Sequence, residues 1–427
     1  MKTLDGKDLE LVLRLAADLR VNPELGFKEV KSSGIIRSYW ERIGLKVESF
    51  GTGLKAYIEG KGVGPTVALI GELDSVVSPD NPMAVPNGNA HACGHYIQSS
   101  QVFGAACILS KIKDSLSGNV AVFAVPAEEF IEIAQRMEMK KEGKIRYLSG
   151  KPDLMAKGAF DDVDMAMMIH AQPNTPEYSI FLNGGNLGFV AVNIRFIGKT
   201  AHGAEPFEGR NALQATMLFL NGINANRETF RDDESIRIHP IVTKGGNVVN
   251  SVPDDCRIET YVRGSTREAI EKGYRILERC ASAAAEMMGC GYRLERIPGY
   301  LPLNQDRNLS QVMKEAAVEL FGEGCTAEGV PSVGSTDFGD LSHLIPAIQP
   351  TMGGFDGDLH SACFRVLDEK ESILKGSELL ATTVEKLLSD NAERAKEIIG
   401  RFNRKMDREE YFNYLDSIKE KGEEYVE

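Results

Sequence analysis

Residues 119–129 read Asn-Val-Ala-Val-Phe-Ala-Val-Pro-Ala-Glu-Glu. The run from Asn119 to Val125 is almost wholly apolar, as expected of a strand buried on both faces of a sheet. Pro126 ends it. Two adjacent carboxylates, Glu128 and Glu129, follow at the C-terminal end of the strand, which is where α/β proteins place their ligand sites. Adjacent residues there point in different directions, so one carboxylate can bind a cation while the other faces a water. An ordinary acidic first turn of a helix is the plainer reading of the same pair.

Working outward, strands alternate with helices. Helices are expected at 7–20 and 29–43, strands at 54–59 and 66–70, a helix at 101–112 and a strand at 165–169. That alternation indicates an α/β layer structure. The pattern changes near Leu187. A strand at 189–197, a helix at 210–224, strands at 235–243 and 257–263, a helix at 267–288 and a strand at 292–296 give the order β-α-β-β-α-β. This is a ferredoxin-like α+β arrangement. Helices at 309–321 and 369–388 then resume the α/β pattern. The expected organisation is an α/β domain, 1–187 and 297–427, with a second domain, 188–296, inserted into it. The charged segment 391–427 is expected as a helical C-terminal appendage.

Composition fits such a chain. It has 427 residues, 42% of them apolar and 26% charged, which are globular values and exclude a disordered or fibrous protein. The formal net charge is −13. With no basic patch interleaved with aromatics, nucleic acid is not an expected partner. The apolar run near 120–127 is far shorter than the roughly 20 residues of a membrane span. The first twenty residues lack the apolar core of a signal peptide. Seven scattered cysteines without a Cys-x-x-Cys pair suggest a reduced, cytoplasmic compartment.

Four further positions complete a constellation. In His91-Ala92-Cys93-Gly94-His95 a thiol and an imidazole stand two residues apart around a glycine that permits a tight turn. His170 closes the apolar run Met165–Ile169. His360 follows a glycine-rich stretch, 353–357. Singly, each histidine reads as well as a packed or surface residue. Together Cys93, His95, Glu129, His170 and His360 make the five N, S and O donors that two divalent ions sharing a bridging group require, with Glu128 as the base. Gly198-Lys199-Thr200 is not a phosphate loop, since position 193 is Asn, and neither G-x-S-x-G nor H-E-x-x-H occurs.

These residues, together with Pro23-Glu24-Leu25-Gly26-Phe27, Gly198–Pro206, Asn250-Ser251-Val252-Pro253-Asp254 and Leu359-His360-Ser361, resemble the M20 family of metallopeptidases and amidohydrolases, in its aminoacylase-like branch. The motifs run in family order from residue 23 to about 388. Gly334–Asp340 looks most like the branch of the aminobenzoyl-glutamate hydrolase B subunit. The resemblance implies a catalytic α/β/α sandwich domain with two divalent ions, zinc or manganese, and the inserted ferredoxin-like α+β domain as a lid through which the chain forms a homodimer. It implies Cys93, His95, Glu129, His170 and His360 as metal ligands, Glu128 and His202 as catalytic residues, and Asn250 and Arg263 as the holders of a substrate carboxylate. The implied substrate is an N-acyl or aroyl amino acid; a dipeptidase of the same mechanism and an inactive binding protein on this fold are the alternatives. Tyr96, Gln98 and Arg20 depart from the family pattern, Glu72 stands where other branches use a histidine ligand, and the segment between Glu129 and His170 is long.

Overall fold

The computed structural model describes residues 3–4, 6–175, 177–418 and 421–423. It divides into two compact units. One comprises Met1–Gly185, Asn304–Ser332 and Asp340–Lys405; the other Asn186–Leu303, Val333–Gly339 and Met406–Glu427.

The first unit is built on a six-stranded sheet in the order Val47–Phe50, Gly53–Glu59, Ser117–Val125, Gly62–Glu72, Met165–Met167, Ala347–Ile348. The last four run parallel to one another, and Gly53–Glu59 lies antiparallel to Ser117–Val125. In register Glu72 pairs with Val125. The parallel strands therefore deliver their C-terminal ends, and the loops after them, to one edge of the sheet. Those loops carry Asp74, Glu128 and Glu129, and the loop after Met167 leads directly into the short strand His170–Ala171.

The helix His95–Ile112 packs on this sheet. Every residue in it except Ser110 and Lys111 is buried. That burial explains its start six residues before the expected Gln101. A helix covered on all sides has no amphipathic period to read, and its first turn is made of His95, Tyr96, Ile97 and Gln98. Gly94 precedes it at φ +82°, a left-handed conformation that side chains disfavour.

The second unit holds an antiparallel sheet in the order Arg237–Lys244, Asp255–Gly264, Gly188–Ile197, Gly291–Pro298, Lys421–Glu423. The first four strands and the helices Ala212–Asn226 and Arg267–Met287 give the ferredoxin-like order. Val190, Val192, Ile194 and Phe196 alternate onto one face, and with Phe219, Ile258 and Leu277 they form a separate core. The expected boundaries, 188 and 296, lie inside this unit, which starts at Asn186 and continues to Leu303. The segment 391–427, expected as a charged helical appendage, is divided between the two units. It contains the helices Glu393–Arg401 and Arg408–Ser417, followed by a strand that joins the sheet edge left open by Gly291–Pro298. An unpaired strand edge recruits such a segment whatever its own propensity.

Candidate metal centre

The carboxylate pair is held by a strained turn. Ala127 has φ +54°, unusual for a residue with a side chain, and its N–H donates to Glu29 Oε1 at 2.8 Å. Glu29 has no exposed surface. The loop Pro23–Phe27 packs against the same turn: a Cβ on Gly26 would lie 2.8 Å from Ala127 Cα. Glu24 O accepts both the N–H and the hydroxyl of Ser75. The motif at 23–27 thus braces two of the strand ends that carry the site.

Around that turn, three sets of side chains bring their possible ligand atoms within 4.8 Å of one another: Cys93, His95 and His170; Cys93, Glu129 and His360; Glu72, His95 and Glu128. All five expected ligands are included, and Cys93 belongs to the first two sets. Cys93 Sγ lies 3.5 Å from His170 Nε2, and His360 Nε2 lies 2.8 Å from Glu129 Oε1. His360 also occupies the left-handed region, at φ +64°, while its N–H donates to Ala92 O at 2.8 Å.

The outer contacts orient these donors. His95 Nδ1 donates to Asp74 O at 2.9 Å, with Asp74 Oδ1 at 3.2 Å, which leaves the Nε2 lone pair facing the cluster. His170 Nδ1 faces Ala171 O at 3.1 Å. Asp74 Oδ2 accepts the Glu129 N–H at 2.9 Å. Asp74 had no role in the sequence reading. Its signal was its place two residues beyond Glu72, just past a parallel strand end.

The electrostatics fit a cation. Burial opposes ionisation of Cys93, yet the imidazoles of His95 and His170 and hydrogen bonds from His170 and His360 hold its thiol well below the ordinary value. Against the opposing effect of burial, Cys93, Glu72 and Asp74 hold His95 well above its ordinary value. His170 is also raised, and His360 is pushed up to about 11 by Cys93 and Glu129 despite burial. Burial and the Cys93 charge push Glu129 up to about 7. A lowered thiol beside raised imidazoles marks a cluster that demands positive charge, which a divalent cation would supply. Glu72 Oε2 and His95 Nε2 are buried without hydrogen bonds. These hard and borderline donors, gathered beside the soft thiol of Cys93, suit divalent ions such as zinc or manganese.

The departures from the family pattern have structural partners. Tyr96 Oη and Arg20 Nη1 both donate to Glu369 Oε1 at 2.7 Å, so two of them share one acceptor. Gln98 Oε1 accepts the Glu72 N–H at 2.8 Å and supports the strand end. His91 is fully buried against Tyr96, and burial pushes it down to about 3, as a neutral packed ring.

His202, Asn250 and Arg263 belong to the second unit. His202 bridges Ser251, and Gly203 N–H donates to Asn250 O at 2.8 Å, so the two loops lie side by side with both side chains exposed. Arg263 stacks over Phe189 and Tyr261, with its guanidinium 5.4 and 5.5 Å from the ring centres. Its Nη1 donates to Ser335 Oγ at 2.5 Å, and burial lowers its pKa.

Comparison with known proteins gives one family. The description "Peptidase family M20/M25/M40" matches residues 68–386. The chain is 29% identical to mouse Xaa-Arg dipeptidase over 61% of its own length and 57% of that protein's, so it spans little more than half of that relative. It is 25% identical to the N-acetylcysteine deacetylase of Bacillus subtilis over 80% of this chain and 88% of that one. Among solved structures, the Bacillus subtilis YXEP protein, described as a dinuclear metal binding peptidase from this family, superposes with a TM-score of 0.68 at 23% identity, covering 89% of this chain and 99% of that one.

Proposed function

The chain belongs to peptidase family M20/M25/M40, a family of metal-dependent hydrolases of amide bonds, and from that premise we propose that it cleaves an N-acyl or aroyl amino acid at its amide. The observation that carries this reading is Cys93, shared between two donor triads, with Glu128 beside them. Cys93, His95 and His170 would hold one divalent ion, and Cys93, Glu129 and His360 the other. Zinc suits the thiolate, and manganese the carboxylate and imidazoles.

Two cations bound there would supply Lewis acidity and would bring the pKa of a water toward neutrality. Glu128 accepts that water's proton and returns it to the leaving amine. Asp74 keeps His95 in the tautomer that presents Nε2. His202, which the family resemblance brings to the active site of the partner subunit, would donate to the carbonyl oxygen as charge gathers on it, a contribution of roughly 3–4 kcal/mol in comparable sites. Arg263, with its planar fork fixed by Phe189, Tyr261 and Ser335, binds the substrate carboxylate together with Asn250.

The chain works as a homodimer through its second unit, whose strand Arg237–Lys244 is an outer strand of its sheet. A reduced cytoplasm suits it, since all seven cysteines are free and Cys93 must remain a thiolate. No described helix is long and apolar enough to cross a membrane.

Similarity to the Xaa-Arg dipeptidase favours a second substrate, a dipeptide, by the same chemistry. A panel of N-acetyl and N-benzoyl amino acids and dipeptides, assayed with zinc or manganese and again after chelation, separates the two readings. Full activity after metal removal, or no hydrolysis of any amide by the loaded protein, would overturn the proposal.

A further inference from the structure

The long segment between Glu129 and His170 carries a cation into the protein interior. Lys151 and Glu72 both have side chains with 0% exposure, and Lys151 Nζ donates to Glu72 Oε1 at 2.5 Å. Burying such a pair costs desolvation that its attraction need not recover. A hydrophobic pair would fill the same space, so the ion pair calls for a specific role.

The geometry of Glu72 indicates one. Its backbone is fixed on both sides: its N–H donates to Gln98 Oε1 at 2.8 Å, and its carbonyl accepts the Ser99 hydroxyl at 2.6 Å. Lys151 holds one carboxylate oxygen. The other, Oε2, lies 3.2 Å from His95 Nε2, and both of those atoms are buried without hydrogen bonds. Glu72, His95 and Glu128 form one of the three compact donor sets. Two lone-pair atoms turned toward one space, each unsatisfied, are what a cation between them would satisfy.

We propose that Lys151 is a positioning residue of the metal centre: by occupying Glu72 Oε1 it leaves the carboxylate a single oxygen, Oε2, to offer the ion on the His95–His170 side. Carboxylates bind cations through one oxygen or both. With Cys93, His95 and His170, one Glu72 oxygen makes four protein donors and leaves a fifth position for water; both oxygens would make five and close it. Lys151 therefore limits coordination and supplies no ligand itself. The inference rests on the metal centre proposed above.

Cobalt(II) is the probe, because its visible absorption weakens as coordination number rises. Lys151→Met should bind cobalt(II) at least as tightly as the parent, with clearly weaker visible bands. Its kcat for an N-acetyl amino acid should fall about tenfold while KM changes less than twofold. Lys151→Arg should recover the parental spectrum. The double variant Lys151→Met, Glu72→Gln carries no buried charge at either position and guards against misfolding of the single variant. It should bind cobalt(II) roughly 10–100-fold more weakly, as losing a donor or its support does. A parental spectrum in Lys151→Met, weaker cobalt binding by that variant, or parental affinity in the double variant would each overturn the role of Lys151. Failure of the parent itself to bind cobalt(II) would overturn the centre instead.

Discussion

Glu29, a side chain with no exposed surface, accepts the N–H of Ala127 at 2.8 Å and thereby fixes a left-handed residue directly before Glu128 and Glu129. The acceptor lies 98 residues away in sequence from the turn it holds. Glu29→Ala should leave a buried N–H unsatisfied and cost about 1–3 kcal/mol in urea unfolding. It should also lower kcat, because both carboxylates depend on the turn. Unchanged stability and turnover would show that the turn holds itself.

The same residue gives a pH dependence. Burial, with the Asp74 charge added, pushes the Glu29 carboxyl from 4.5 up to about 8. Between those values the folded protein keeps a proton that the unfolded chain has released. The contribution to stability is complete below pH 4.5 and is lost as pH rises through 8. Glu29→Gln keeps an acceptor and does not titrate. Its urea midpoint should therefore decline less than the parent's between pH 5 and 9; parallel curves would contradict the assignment.

Glu128→Ala should retain both ions and lose roughly 10²–10⁴-fold in kcat, the usual contribution of a general base. Elemental analysis alongside an N-acyl amino acid assay checks both halves. Near-parental turnover would remove Glu128 from its role.

Cys93 belongs to two triads and His170 to one. Cys93→Ala should weaken both ions, whereas His170→Ala should leave about one per chain. Asp74→Ala, which frees the His95 ring, should weaken binding by roughly 10–100-fold. Calorimetric titration with zinc distinguishes the three. Equal stoichiometry in Cys93→Ala and His170→Ala would mean that the thiolate is not shared.

Arg263→Lys keeps the charge and loses the planar fork stacked on Phe189 and Tyr261. It should raise KM for a carboxylate-bearing substrate, with a loss of about 10–100-fold in kcat/KM. A substrate whose carboxylate is replaced by an amide should show no such difference. Equal losses on both substrates would place Arg263 in a structural role.

Much of this site was legible because its donors sit in short local patterns at strand ends. Cys93 and His95 flank one glycine, Glu128 and Glu129 follow one apolar run, and parallel strands bring such ends to one edge. The ferredoxin-like order was likewise readable from period-two alternation, as in Asp255–Gly264. What escaped depends on distance along the chain. Lys151 meets Glu72 across 79 positions, and nothing near either residue announces the pair. The helix beginning at His95 is buried all round and shows no periodicity. The strand Lys421–Glu423 contains Lys, Gly and Glu, poor strand formers, and exists because Gly291–Pro298 offers it an edge.

The chain order of the donors has a consequence for biosynthesis. Each unit is assembled from three separated stretches, and a ribosome emits them in alternation. Cys93, His95 and His170 are all present once the first 170 residues have emerged. His360 comes from a later stretch, after most of the second unit has been made. In the proposed centre, the triad of Cys93, Glu129 and His360 is therefore the last to gain its full complement, and a nascent chain would meet metal with one triad complete and the other still waiting for its final donor.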